Sequence, residues 1–191
     1  MAGSQVEDPD EDIVALIRQG DYDAALEELM QRYGDAVYRY CFRMLGDVAL
    51  AEDTQQLMFL QAYESFPEFG GRAKVKSWLW KIAHNRTIDA ARRRARERDR
   101  ISDEDDVEVA ALGLDPGDQI DDGQIERALR TCVDELPLPT RDALLLHHCH
   151  GFTFEEIGAM MGVKPGTVQA RARRALVRLQ RCIVECVEQD R

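Results

Sequence analysis

No apolar run in the sequence approaches the roughly 18 residues that a membrane-spanning helix requires. The opening stretch, MAGSQVEDPDED, is acidic where a secretory leader is basic and then apolar, so the chain is expected to remain in the cytosol without membrane insertion. Cysteines are few and irregularly placed. Cys41, Cys132, Cys149, Cys182 and Cys186 are odd in number and lack CxxC spacing, which argues against a disulfide framework or a zinc knuckle and leaves free thiols as the expectation. There is no glycine-rich phosphate loop, no GxSxG and no HExxH, and neither His84 with Asp89 nor His147 with Cys149 forms a recognisable nucleophile and base. An enzyme therefore finds little support in these residues. Alternating strand-like patterning is also missing, and the fold class expected is all-α.

What is present is charge, unevenly placed. The net charge of −11 would repel nucleic acid if it were spread evenly, yet Gly71–Arg100 holds eleven basic residues against Asp89, Glu97 and Asp99. Residues 101–123 reverse the sign: they carry nine acids, with Gly113, Pro116 and Gly117 interspersed, and no basic side chain. Such a stretch reads as a solvated acidic linker between two domains. The expected division is an acidic tail at 1–11, a first domain at 12–98, the linker at 99–122, a second domain at 123–183 and a short tail at 184–191.

Apolar residues recur at helical spacing on both sides of the linker. From Tyr22 to Leu45 they step by three and four, with Gly34 interrupting the run. Gly46-Asp47 breaks the pattern, and Leu50–Phe66 resumes it, with Leu57, Leu60 and Tyr63 as the expected core stripe and Glu52, Asp53, Gln56 and Glu64 outside. After the loop PEFGGRAK comes a long helix, in which Val75, Trp78, Leu79, Ile82 and Ala83 can face a core. Of its two tryptophans, Trp80 is expected to be the exposed one. Arginines 92, 93, 94 and 96 at its far end suit phosphate contact better than plain solubility, since an acidic linker follows at once.

Beyond the linker, Ile125, Leu129, Val133 and Leu136 define a helix that Pro137 and Pro139 end, and another apolar run begins at Ala143. Thr153 and Glu156 form a capping box before EEIGAMM, Gly162 turns the chain, and Pro165 sits where a first helical turn tolerates it. Two helices joined by a tight glycine turn make a helix-turn-helix. In the second of them Val168, Ala172, Leu176 and Leu179 are expected to pack inward, while Thr167, Arg171, Arg174 and Arg178 line another side. Six basic residues and no acid lie between Lys164 and Arg181. A helix of this kind suits the major groove of DNA.

Four stretches in order, LEELMQRYGDAVYRYCFRMLGD, AEDTQQLMFLQAYESF, WLWKIAHNRTIDAARRR and LPTRDALLLHHCHGFTFEEIGAMMGVKPGTVQARARRAL, resemble bacterial sigma factors of the extracytoplasmic-function group. These carry only the second and fourth conserved sigma regions. The resemblance implies a non-catalytic specificity subunit with no cofactor, whose partners are core RNA polymerase (its beta-prime clamp helices and beta flap), promoter DNA and an anti-sigma protein. It places polymerase contact at Glu52, Asp53, Gln56 and Leu57. Thr54 and Gln55 stand where the family usually has aliphatic residues, and Leu57 where it usually has an acid.

The resemblance also assigns capture and melting of the minus-ten element to Phe69, Arg72, Lys74, Trp78, Trp80, Lys81, Asn85, Arg86, Arg92 and Arg93. Aromatic faces can stack unpaired bases, at about 1–3 kcal/mol each, while cations follow the backbone. Reading of the minus-thirty-five element falls to Lys164, Thr167, Gln169, Arg171, Arg173, Arg174 and Arg178.

The run His147, His148, Cys149, His150 suits one tetrahedral metal site poorly, because consecutive helical residues point about 100° apart. Cys182 and Cys186, one turn apart, could join a thiol or metal sensor or simply close an amphipathic helix end with Ile183 and Val187. The alternative to a sigma factor is an autonomous helix-turn-helix regulator, which would bind an operator as a dimer without polymerase.

Overall fold

The computed structural model describes residues 9–71, 73–101 and 123–189; Arg72, the acidic tail through Asp8 and linker residues 102–122 lie outside them. Every regular element among the described residues is helical. Four α-helices come before the linker: α1 Glu11–Gln19, α2 Tyr22–Leu45, α3 Val48–Ser65 and α4 Val75–Ile101, with a 3-10 turn at Phe66–Glu68. Another four follow it: α5 Gly123–Asp134, α6 Leu138–Leu144, α7 Phe154–Met161 and α8 Pro165–Gln189, with a π turn at Leu145–Cys149 between α6 and α7.

Local chemistry sets the boundaries. Asp21 and Asp47 accept from the backbone N–H groups of Ala24 and Leu50, capping α2 and α3. Gly20 and Gly46 end α1 and α2 in the left-handed conformation, at φ 79° and 66°. Helix α2 runs straight through Gly34, whose carbonyl accepts from Gln55 Nε2 at 2.7 Å, so the expected interruption does not occur. Packing against α3 outweighs the propensity cost of one glycine, about 1 kcal/mol.

The core of the first unit gathers Ile13, Leu29, Val37 and Tyr40 with Met58, Phe66, Val75 and Leu79, all essentially inaccessible to solvent. On α3 the buried face is Ala51, Thr54, Met58, Phe59 and Ala62, whereas Leu57 and Leu60 are 46% and 53% exposed. The expected stripe of Leu57, Leu60 and Tyr63 is thus replaced by a neighbouring one. Apolar residues occur all round α3, and the buried face includes the small side chains Ala51, Thr54 and Ala62, which allow close approach to neighbouring helices. Thr54 is accommodated because its hydroxyl donates to the Leu50 carbonyl at 2.6 Å.

The second unit packs α5 and α6 against α8. Cys132, Leu136, Leu144, Ala175 and Leu179 form its core, and a disulfide joins Cys132 of α5 to Cys182 of α8. Free thiols therefore hold for Cys41, Cys149 and Cys186 but not for this pair. Spacing along the chain could not show that residues 50 apart meet across two helices.

Candidate nucleic-acid and polymerase interface

Helix α7 begins with the full capping box: the Glu156 N–H donates to Thr153 Oγ1 at 3.2 Å and the Thr153 N–H to Glu156 Oε2 at 2.9 Å. Gly162 (φ 68°) turns the chain. Gly158 makes the turn tight, since a Cβ there would stand 2.8 Å from the Val163 carbonyl oxygen. Val168, Ala172, Ala175 and Leu179 then anchor α8, with Ala175 in the inward place expected for Leu176, which is 47% exposed. The small side chain lets α8 lie close against α5 and α6. Lys164, Thr167, Gln169, Arg173, Arg174 and Arg178 are all exposed, and Arg171 is half-buried with Nη1 3.8 Å from Met161 Sδ. The structure thus brings the residues expected at the minus-thirty-five element together on α8 and on Lys164 just before it. None of the exposed ones is held in a salt bridge among the described residues.

Helix α4 carries the other basic surface. Lys74, Lys81, Asn85, Arg92 and Arg93 are exposed. Phe69 and Trp78 pack on one another with ring centroids 4.9 Å apart and remain half-buried. Arg86 donates through Nε to Gln61 Oε1 at 2.6 Å. A cleft of about 470 Å³ between α4 and α7 is lined by Asn85, Arg86 and Arg92 on one side and Met160 and Met161 on the other. Arg94 is spent on structure: it donates to the Leu45 carbonyl at 2.7 Å, at the C-terminus of α2, and lies 3.5 Å from Asp47.

Trp80 corrects the expectation of exposure, for it is only 1% accessible. Its ring lies against Tyr40 (5.2 Å between centroids), His150 (3.9 Å) and Phe152 (5.7 Å). The last two come from the chain just before α7, so the second unit sits on the α4 face that bears this tryptophan. Lys76 closes the same seam, donating to the His150 carbonyl at 2.8 Å and lying 4.8 Å from the Phe152 ring centre.

Asp142, buried at the base of the seam, accepts from Tyr40 Oη at 2.8 Å and has His84 Nδ1 2.8 Å from its other oxygen, too far off line for a hydrogen bond. Burial, and then the Asp142 charge, push the Tyr40 hydroxyl well above its ordinary range, so it stays a donor. Burial first, then Lys76, Arg43 and Arg39, pull His150 down to about 4, leaving a neutral ring at pH 7. Arg141 completes the junction by donating to the Met44 carbonyl at 3.1 Å. Burial raises the Cys41 thiol to about 11, which makes it an inert core group.

Glu52, Asp53, Gln56 and Leu57 stand together on the outer face of α3, all exposed and one to two turns apart. Leu60 extends that face, and Met30 of α2 is a further large apolar side chain left 49% exposed. A leucine at helical spacing reads as core, whereas Leu60 is exposed.

A two-part helical protein with a cationic helix-turn-helix and a second basic helix bearing aromatics belongs to the class that handles opened and duplex DNA. Two family descriptions match, "Sigma-70 region 2" over residues 29–97 and "Sigma-70, region 4" over 126–179. The chain is 34% identical over 154 residues to "ECF RNA polymerase sigma factor SigE" of Mycolicibacterium smegmatis, covering 81% of this chain and 60% of that relative. To "RNA polymerase sigma factor CarQ" of Myxococcus xanthus it is 32% identical over 88% of this chain and 94% of the relative.

Among solved structures, the sigma factor RpoE crystallised with the anti-sigma factor NepR from Bartonella quintana superposes with a TM-score of 0.66 at 26% identity, over 86% of this chain and 98% of that one. CnrH, solved with the cytosolic domain of CnrY, shares the fold with a TM-score of 0.67 at 19% identity, over 92% and 97%. The chain belongs to the extracytoplasmic-function sigma factors.

Proposed function

We propose that this chain is a promoter-specificity subunit that binds core RNA polymerase, directs it to particular promoters and helps to melt the minus-ten region, without catalysis of its own. The observation that carries the reading is the pairing of two separate cationic surfaces, on α4 and α8, in a chain whose net charge is −11. An operator-binding dimer has use for α8 but none for Trp78 and Phe69 beside Lys74 and Lys81.

In this reading the outer face of α3, with Glu52, Asp53, Gln56, Leu57 and Leu60, meets the polymerase clamp helices. Leu57 and Leu60 supply apolar contact where the family usually has an acid at the first of these positions. Lys74, Trp78, Lys81, Asn85, Arg86, Arg92 and Arg93 take the minus-ten strand, and the exposed face of α8 reads the minus-thirty-five duplex. The protein acts where polymerase is, in the cytoplasm. An anti-sigma partner is supported by the NepR complex of the RpoE relative.

Trp80 can join the minus-ten surface only if the second unit leaves α4. The free protein is therefore expected to bind promoter DNA weakly and to need polymerase to spread its two units. Run-off transcription with core polymerase, with and without this protein, tests the proposal: promoter-specific transcripts should appear only with it, and identical transcript patterns would overturn it. A gel shift without polymerase separates the operator-binding reading, which requires tight binding there.

A further inference from the structure

The disulfide accounts for two members of a group of three. Cys132, Cys182 and Cys186 have their sulfur atoms within 4.8 Å of one another, and Cys186 Sγ lies 4.0 Å from Cys132 Sγ. Cys182 and Cys186 are one turn apart on α8 and face the same neighbour, while Cys132 comes from α5 and is 2% exposed among Leu136, Leu144, Ala175 and Leu179. Glu135, exposed at the end of α5, places Oε2 3.6 Å from Cys182 Sγ. A bridge between two cysteines needs neither Cys186 nor Glu135.

Three thiolates and a carboxylate suit a tetrahedral thiophilic cation. With Zn–S near 2.3 Å and Zn–O near 2.1 Å, the edges of such a site measure about 3.8 Å between sulfurs and about 3.6 Å from sulfur to oxygen. The separations of Cys186 from Cys132 and of Glu135 from Cys182 lie close to those edges. The apolar floor beneath Cys132 holds the ligands in place, and the exposed Glu135 side leaves an entry path. We propose that, in the reduced protein, Cys132, Cys182 and Cys186 bind one Zn²⁺, with the Glu135 carboxylate as the fourth ligand.

Reduction must come first. A phosphine reductant takes an oxygen atom from water to become the phosphine oxide and delivers two electrons and two protons to the Cys132–Cys182 bond, giving two thiols. Metal binding then releases the thiol protons, so affinity rises with pH. The ion would tie α5 to the distal half of α8, the helix whose N-terminal half carries the DNA-facing side chains.

Titrating the phosphine-reduced full chain with Co²⁺ reads the site directly. Thiolate-to-cobalt charge-transfer absorption and tetrahedral d–d bands should saturate at one ion per chain and vanish when Zn²⁺ is added. Cys186→Ser should weaken binding by about 100-fold or more, whereas Cys149→Ser should leave it unchanged. Circular dichroism of each variant checks that its helices are retained.

On the phosphine-reduced chain without substitutions, Zn²⁺ should shield Cys132, Cys182 and Cys186 from alkylation by iodoacetamide, read peptide by peptide. Absence of the charge-transfer band, a band insensitive to Cys186→Ser, or alkylation of the three cysteines undiminished by Zn²⁺ would each overturn the proposal. So would a Cys132–Cys182 bond that persists under the phosphine, since the pair would then be a structural bridge alone.

Discussion

Trp80 shows how far one side chain's role depends on its surroundings. Buried between Tyr40, His150 and Phe152, it has an indole N–H with no hydrogen-bond partner among the described residues. Leaving such a donor unpaired costs about 1–3 kcal/mol, which offsets part of the gain from burying the ring and favours a seam that can open. Trp80→Phe should therefore be neutral or stabilising, while Trp80→Ala should lose about 3–5 kcal/mol, read from denaturant midpoints.

His150 gives the same seam a pH dependence. Its folded value of about 4 lies below the unfolded value near 6.5. Above pH 6.5 the ring is neutral in both states and carries no penalty. As pH falls from about 6.5 towards 4 the unfolded chain takes up a proton that the native seam resists, so stability drops through that window. The expected result is a steeper acid-side decline for the wild type than for His150→Gln, measured by unfolding at a series of pH values.

Elements differ in how legible they were. The ends of α2, α3 and α7 and the helix-turn-helix could be read directly, because caps and glycine turns depend on near neighbours in the chain. Which face of α3 or α8 points inward could not. Ala51, Thr54 and Ala175 are weak apolar signals beside Leu57, Leu60 and Leu176, yet their size permits the close packing that decides orientation.

Two predictions belong at this scale. Gly158→Val should break the α7–α8 turn, since even a Cβ meets the Val163 carbonyl at 2.8 Å; minus-thirty-five binding measured by gel shift with the polymerase holoenzyme should fall by at least about tenfold, while the first unit stays helical. Leu60→Asp should leave folding intact, because that side chain is already exposed, and should weaken association with core polymerase, again by roughly tenfold, measured by fluorescence anisotropy.

At the scale of the whole molecule the two units are clasped by Asp142, which receives Tyr40 and faces His84, and by Lys76 and Arg141, which donate to backbone carbonyls across the junction. Asp142→Ala removes the buried acceptor and leaves Tyr40 Oη unpaired. The expected outcome is a larger radius of gyration in small-angle scattering and stronger binding of a single-stranded minus-ten oligonucleotide. An unchanged radius would show that the apolar packing of Trp80, His150 and Phe152 holds the units together by itself.

The order of residues by itself determined the all-α class, the capping and turning of the helices, the sign of charge in each segment and the exposed cationic face of α8. Each of these follows from spacing of a few residues or from local composition. Only the tertiary structure decided that Trp80 is covered, that Arg94 serves the end of α2, that Leu57 and Leu60 look outward and that Cys132, Cys182 and Cys186 meet. Those outcomes depend on contacts between residues tens of positions apart, and helical periodicity says which residues share a face without saying which other helix covers it.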